Sequence, residues 1–266
     1  MKICGIICEY NPFHNGHAYL IERAKKESGC EAVVCIMSGN FTQRGEIALL
    51  DKYMRAKHAV FAGADAVLEL PAVFSVSPAE LFAKGAVKIL SSLPSLDTLA
   101  FGCENDDADL FSEAARATTY ESPEQKAALR KHLRAGASLT QARTAALAQM
   151  GREDLAVFLR QPNNILGTEY KKALGHFGSR ARILPVRRVG AEHADTEPGE
   201  KISSAAAIRS AVRSGRAQEI AGSVPPYVLE DLQNFTSEAI YKKIAHFSAI
   251  AAKPQNLAEI TDCTEG

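Results

Sequence analysis

Ile3-Cys4-Gly5-Ile6-Ile7-Cys8-Glu9-Tyr10-Asn11-Pro12-Phe13-His14-Asn15-Gly16-His17-Ala18-Tyr19-Leu20 is the stretch that decides the fold. It opens inside an unbroken apolar run, Lys2 to Cys8, whose lack of alternation is the pattern of a strand buried on both faces. Polar and turn-forming residues follow from Glu9 to Gly16, and then Ala18, Ile21 and Ala24 recur on one face of a helix. Strand, short turn and helix in immediate succession form the first half of a β-α-β unit.

The same pattern continues outward. Ala32 to Met37, Ala66 to Leu70 and Thr98 to Phe101 are further short apolar runs separated by segments of helical spacing, and Arg182 to Val189 reads as a later strand. Such an alternation predicts an α/β fold, a parallel sheet covered on both sides. Ser77-Pro78-Ala79-Glu80 and Ser122-Pro123-Glu124-Gln125 each place a hydroxyl for the N-cap, proline at N1 and Glu or Gln at N3. Ser138 with Gln141 repeats the box without proline, and Gly136 and Gly151 stand where two helices would end. These signals predict a helical hairpin at about 122–150 within a helical insertion at about 106–160. Pro225-Pro226 marks the expected end of the first domain, 1–224, and Val228 to Ala252 reads as helix in a C-terminal helical region, 225–266.

Composition narrows the function classes. With 266 residues, 46% hydrophobic and 23% charged, the chain is neither disordered nor fibrous. Its longest apolar runs fall far short of the ~20 residues that cross a bilayer, and no basic leader precedes the first strand, so no membrane partner and a cytoplasmic location are expected. The six cysteines (Cys4, Cys8, Cys30, Cys35, Cys103 and Cys263) form no CxxC pair and read as reduced thiols, with no metal site; only Cys103, beside Gly102, is expected near a ligand. The 31 basic and 31 acidic residues cancel, so a nucleic acid would have to be held by a local patch. One such patch is available: Lys126, Arg130 and Arg134 are spaced by four in the hairpin, where a helix would align them as a stripe for a polyanion such as tRNA, or for solvent.

The turn after the first strand carries the chemistry. His14-Asn15-Gly16-His17, an HxGH pattern, leaves the carboxyl end of that strand and opens a helix, where α/β sheets bind phosphate. Two imidazoles there are placed to donate to oxygens on which charge grows during attack at phosphorus, and Gly16 between them admits close approach of the backbone. The bland alternative is a turn with two exposed histidines. After the last strand, Ile202-Ser203-Ser204-Ala205-Ala206-Ala207-Ile208-Arg209 offers hydroxyls and a guanidinium for the far phosphates; its bland alternative is a serine N-cap and a surface arginine.

HxGH after the first strand and ISSxxxIR after the last resemble the nucleotidyltransferase superfamily related to class I aminoacyl-tRNA synthetases, without a KMSKS-like segment. GIICEYNPFHNGHAYLI (5–21), SGNFTQRGE (38–46), DKYMRAKHAVFAGADAVLELP (51–71), FGCE (101–104), QPNNILGTEY (161–170) and RRVGAEH (187–193) resemble one family in particular, the tRNA(Met) cytidine acetate ligases. The resemblance implies a Rossmann-like nucleotidyltransferase fold and an ATP-dependent ligase that acetylates N4 of the wobble cytidine of elongator tRNA(Met). It implies ATP contacts from Ile7 to Leu20, Gly102, Asn163 or Asn164, and Arg188 or Arg187; by alignment Asn163 and Arg188 are chosen. Ala205-Ala206 departs from the family's serine-rich motif, which commonly carries a threonine, and the chain is expected to be truncated relative to family members.

Acetate must be activated before an amine can displace its oxygen. Attack by an acetate oxygen on the α-phosphorus of ATP gives acetyl-adenylate, a step needing positioning and charge stabilisation more than a covalent residue. His14, His17, Ser203, Ser204 and Arg209 suit that task. Mg²⁺ is expected as the counterion of the ATP phosphates, with no residue assigned to it. Asn40, Gln43 and Arg44, on the loop after the second strand, are candidates to hold acetate or the incoming base, or else form a polar loop packed on its neighbour; Lys52 and Arg55 on the next helix are further candidates. Two other readings stand beside this one: adenylyl transfer to a small phosphorylated acceptor, and a nucleotide-binding module without turnover.

Overall fold

The computed structural model describes residues 1–188 and 204–233. Five strands, β1 (Ile3–Cys8), β2 (Ala32–Ser38), β3 (Ala66–Leu70), β4 (Leu96–Cys103) and β5 (Arg182–Arg187), form one parallel sheet in the order β3-β2-β1-β4-β5. β1 lies at the centre, with Ile6 paired to Cys35 on one side and to Ala100 on the other. Chain continuations from β1 and β4 diverge here, and the crevice above their carboxyl ends is where such sheets hold ligands.

Alternate residues of β1 serve two cores. Ile6 packs with Phe13, Ile21, Val33 and Ile208 on the face covered by α1 (Asn15–Ser28), α2 (Lys52–Phe61), α10 (Ala205–Arg213) and α11 (Pro226–Gln233). Ile7 packs with Ile36, Phe82, Leu99 and Phe111 on the face covered by α4 (Ala79–Ser91), α5 (Ala108–Thr119), α8 (Glu153–Phe158) and α9 (Pro162–His176). The unbroken apolar run in β1 is thus explained by burial on both sides. The edge strands depart from that expectation: Leu68 and Glu69 of β3 and Arg182 and Arg187 of β5 are exposed, because an edge has cover on fewer sides.

The predicted hairpin is α6 (Pro123–Arg134) packed on α7 (Leu139–Gln149), between β4 and β5. Ser122 and Ser138 cap their helices as expected, accepting from the N–H groups of Gln125 and Gln141, and Gly136 and Gly151 take φ of 86° and 75° just past the helix ends. Ser77 is a correction: α4 begins at Ala79 with no side-chain cap, because the Ser77 hydroxyl donates to the Val73 carbonyl in α3 (Ala72–Ser75) instead. β4 runs longer than read, from Leu96 to Cys103, and β5 ends at Arg187. The segment after Pro225 is described only through α11, whose Val228 and Leu232 are buried in the same core as β1; the rest of the expected helix lies outside the described residues.

Among the described residues no helix is long and apolar enough to cross a membrane, and no group of three His, Cys, Asp or Glu side chains is placed to hold a metal.

Candidate active site

The first turn of α1 is built by its own histidines. His14 is the N-cap: its Nδ1 accepts from Gly16 N–H at 3.1 Å, while its N–H donates to Nδ1 of His17 at 3.3 Å. The two rings stack with centroids 3.7 Å apart, and Tyr10 meets His17 edge-on at 4.8 Å. Tyr10, fully buried with φ 49°, is a non-glycine residue in the left-handed region, which turns the chain sharply from β1 towards the helix. With Nδ1 of each ring occupied as an acceptor, each neutral imidazole carries its proton on Nε2. Burial, reinforced by Arg188 and Arg209, pushes the His14 pKa down to about 3; burial, His14 and Arg188 hold His17 well below its ordinary value. Both are therefore neutral donors at physiological pH.

The bland alternative, a turn with two exposed histidines, fails here. The histidines are not loop ornaments facing solvent: His14 is 4% exposed. Nor does the helix end offer a ring of free N–H groups. Asn15 N–H donates to the Ser223 carbonyl, Gly16 N–H to the His14 ring and His17 N–H to the His14 carbonyl.

Arginines frame the turn. Arg209 reaches from α10 to the Asn11 carbonyl, 2.8 Å from its Nη1, and stands 3.9 Å from the Glu46 carboxylate. Among the described residues its buried Nε has no hydrogen-bond partner. Arg209 is thus packed against the motif from 198 residues away, not solvated on a surface. Ser204 does what the bland alternative foresaw: buried, it is the N-cap of α10 and accepts from Ala207 N–H at 3.1 Å. Ser203 lies outside the described residues.

On the β4–β5 side, Gly102 stands one residue before the end of β4, with Cγ of Arg188 3.6 Å from where a Cβ would stand. Arg188 acts on both histidines, whereas Arg187 is exposed at the strand end. Asn164 is 1% exposed and spent: its Oδ1 accepts from the N–H groups of Glu104 and Asn105 and its Nδ2 donates to the Phe158 carbonyl. Asn163 is half-buried and its amide is held by Glu104 at 2.7 Å, at the mouth of the crevice. Glu104, which sequence reasoning did not single out, also receives the N–H groups of Asn163 and Asn164 and so anchors the start of α9. Cys103 is a correction: it is buried in the core with its thiol pushed up to about 12 by burial, and does not face the crevice.

On the β2 side, Glu9 Oε1 accepts from Gln43 N–H at 2.7 Å and from the Ser38 hydroxyl at 3.3 Å. Gln43 therefore lies beside the motif through its main chain, while Arg44 is exposed and Asn40 is turned to Lys52 N–H at 2.9 Å. Arg55 is wholly buried and touches only main chain, donating to the carbonyls of Leu50, Glu9, Ser38 and Gly39. It ties the loops after β1 and β2 together and is not a ligand contact. Lys52 pairs with Glu69.

Lys126, Arg130 and Arg134 are all exposed along α6, as a stripe requires. Arg143, on α7, turns inward instead, 3.7 Å from the buried Glu169.

Comparison with known proteins locates this arrangement. The HIGH Nucleotidyl Transferase family model matches residues 1–266. The tRNA(Met) cytidine acetate ligase of Caldanaerobacter subterraneus subsp. tengcongensis is 41% identical over 239 residues, 90% of this chain and 60% of that protein. The enzyme of the same name from Clostridium perfringens is 37% identical, over 100% of this chain and 69% of its own. Crystal structures of Thermotoga maritima TmcAL superpose with a TM-score of 0.89 for the apo form (34% identity, 100% of this chain and 66% of that one) and 0.79 for the form bound with alpha-thio ATP (35% identity, 92% and 56%). The chain spans between about six-tenths and seven-tenths of the length of these relatives.

Proposed function

The chain belongs to the HIGH nucleotidyl transferases, among the tRNA(Met) cytidine acetate ligases, and from that premise we propose that it activates acetate with ATP and transfers the acetyl group to N4 of the wobble cytidine of elongator tRNA(Met). The observation that carries this reading is the neutral His14–His17 pair, with both Nε2–H groups left as donors and Arg188 and Arg209 on either side. A site for in-line attack at the α-phosphorus needs fixed donors where charge develops on nonbridging oxygens, and no nucleophile of its own.

In this reading ATP lies across the crevice. Its phosphates meet His14, His17 and Arg209; Gly102, Asn163 and Arg188 face the nucleoside. Mg²⁺ accompanies the polyphosphate as its counterion. Acetate occupies the side of Glu9 and Gln43, and attack by its oxygen yields acetyl-adenylate and pyrophosphate. The cytidine N4 then attacks the acetyl carbonyl and AMP leaves. The exposed stripe Lys126, Arg130 and Arg134 is assigned to tRNA phosphates, since like charges spaced by one turn repel until a polyanion neutralises them.

Acetate-dependent exchange of radioactive pyrophosphate into ATP tests the first half. Exchange is expected only when acetate is present; exchange absent with acetate sinks the reading.

A further inference from the structure

We propose that Glu9 is the general base of the acetyl transfer, its Oε2 taking the proton from the cytidine amine as N4 bonds to the acetyl carbon. The inference rests on the ligase reading above. The step balances as follows: the N4–C bond forms, the bond between the acetyl carbon and the bridging phosphate oxygen breaks, AMP departs with that electron pair, and one N4 proton moves to the carboxylate.

The placement of Glu9 motivates the assignment. It directly follows β1, and its side chain turns towards β2, reaching Ser38 at the end of that strand and Gln43 beyond it, whereas Gly102 lies on β4 and Arg188 just past β5. The phosphate turn lies between the two sides, so an acceptor arriving opposite the nucleoside meets this carboxylate. Glu9 is also held rigidly. Arg55 takes its main-chain carbonyl, and Gln43 N–H and the Ser38 hydroxyl both bond to Oε1. Among the described residues no group donates to Oε2. A proton acceptor with one oxygen anchored and the other open is preorganised for transfer. Burial raises its pKa against the opposing pull of these bonds and of Arg55 and Arg209, which moves a carboxylate towards the working range of a base.

The neighbouring groups are committed elsewhere. His14 and His17 use Nδ1 as acceptors from the main chain, leaving Nε2–H, which donates and cannot accept. Glu104 gives both oxygens to the start of α9. Glu69 pairs with Lys52, and Glu46 lies exposed beside Arg209.

Glu9→Gln in the complete gene product separates the two half-reactions. The glutamine carbonyl keeps the bonds from Gln43 and Ser38, and a melting curve checks that the fold is retained. Single-turnover acetylation of a tRNA(Met) transcript is expected to fall by about 10²–10⁴ more than acetate-dependent ATP–pyrophosphate exchange does, the usual worth of a general base. Glu9→Asp, which keeps a carboxylate, is expected to recover part of that loss. Normal acetylation by Glu9→Gln overturns the assignment and leaves the ligase reading standing. Equal loss of exchange and acetylation also overturns it, placing Glu9 in adenylation. If wild type itself shows no exchange with acetate, the ligase reading fails first and the assignment with it.

Discussion

His14 and His17 stack with centroids 3.7 Å apart, and each ring gives its Nδ1 to a main-chain N–H of the same helical turn. One pair of side chains therefore caps the helix, fixes its own tautomer and leaves two Nε2–H donors for a ligand. Stability and chemistry can be pulled apart because the first uses Nδ1 and the second Nε2.

His17→Gln is the substitution that separates them. Glutamine at N3 can accept from the N-cap N–H as in a capping box, so the melting temperature is expected to stay within a few degrees of wild type. With the glutamine oxygen taken by that N–H, its amide N–H does not stand where Nε2–H did, and acetate-dependent exchange is expected to fall by about 10²–10³. Near-normal exchange would make His17 a capping residue and nothing more.

Stability should fall with acid because of these rings. The folded state holds His14 neutral, with its pKa near 3, whereas the unfolded chain takes up a proton below about 6.5. Its contribution is complete above pH 6.5 and is lost as pH falls towards 3, with a limiting slope of about 1.4 kcal/mol per pH unit for one histidine. His14→Asn, an equally good N-cap, is expected to melt like wild type at pH 7 and to lose less stability between pH 7 and 5. Parallel pH curves for the two proteins would show that His14 does not titrate in this way.

Arg55→Met tests the tie between the loops after β1 and β2. It leaves the carbonyls of Leu50, Glu9, Ser38 and Gly39 without their donor, and each buried unsatisfied group costs about 1–3 kcal/mol. Urea unfolding should report a loss of at least about 3 kcal/mol, while Arg55→Lys retains part of it. A loss under about 1 kcal/mol would mean that the loops hold without the tie.

Asn163→Ala and Asn164→Ala should differ in kind. Asn164 satisfies two N–H groups and one carbonyl in the core, so its loss costs about 2–4 kcal/mol of stability. Asn163→Ala is expected to leave the melting temperature nearly unchanged and to weaken ATP binding several-fold by calorimetry. The reverse pattern would assign the nucleotide contact to Asn164.

Changing Lys126, Arg130 and Arg134 together to Glu in the complete gene product should weaken tRNA binding and flatten its salt dependence. Each lost phosphate contact lowers the slope of log K against log salt by about 0.7–0.9. Exchange with acetate is expected to remain normal. Unchanged affinity at low salt would return the stripe to solvent.

Much of this architecture was legible locally. The apolar run from Lys2 to Cys8 implied a doubly covered strand, and Ser122 and Ser138 announced helix starts, because a strand's burial pattern and an N-cap are set within a few residues. Ser77 misled because its hydroxyl could either accept from a helix N–H or donate to a carbonyl, and the Val73 carbonyl four residues back took it. Arg55 looked like any helix charge. Its spacing on α2 says that it faces one side, but that four carbonyls wait there depends on how two other loops close.

By itself, then, the sequence determined the alternation of strands and helices, the HxGH turn after the central strand and the family. Only the tertiary structure decided what the turn does. Arg209 meets Asn11 across 198 residues, the charge of Arg188 just past the edge strand acts on the histidines, and Ser223 takes the N–H of Asn15. The reason is physical: periodicity and capping act over one or two turns of chain, whereas the proton position on an imidazole and the direction of a buried guanidinium are set by whichever distant polar groups the packed sheet brings within hydrogen-bond reach.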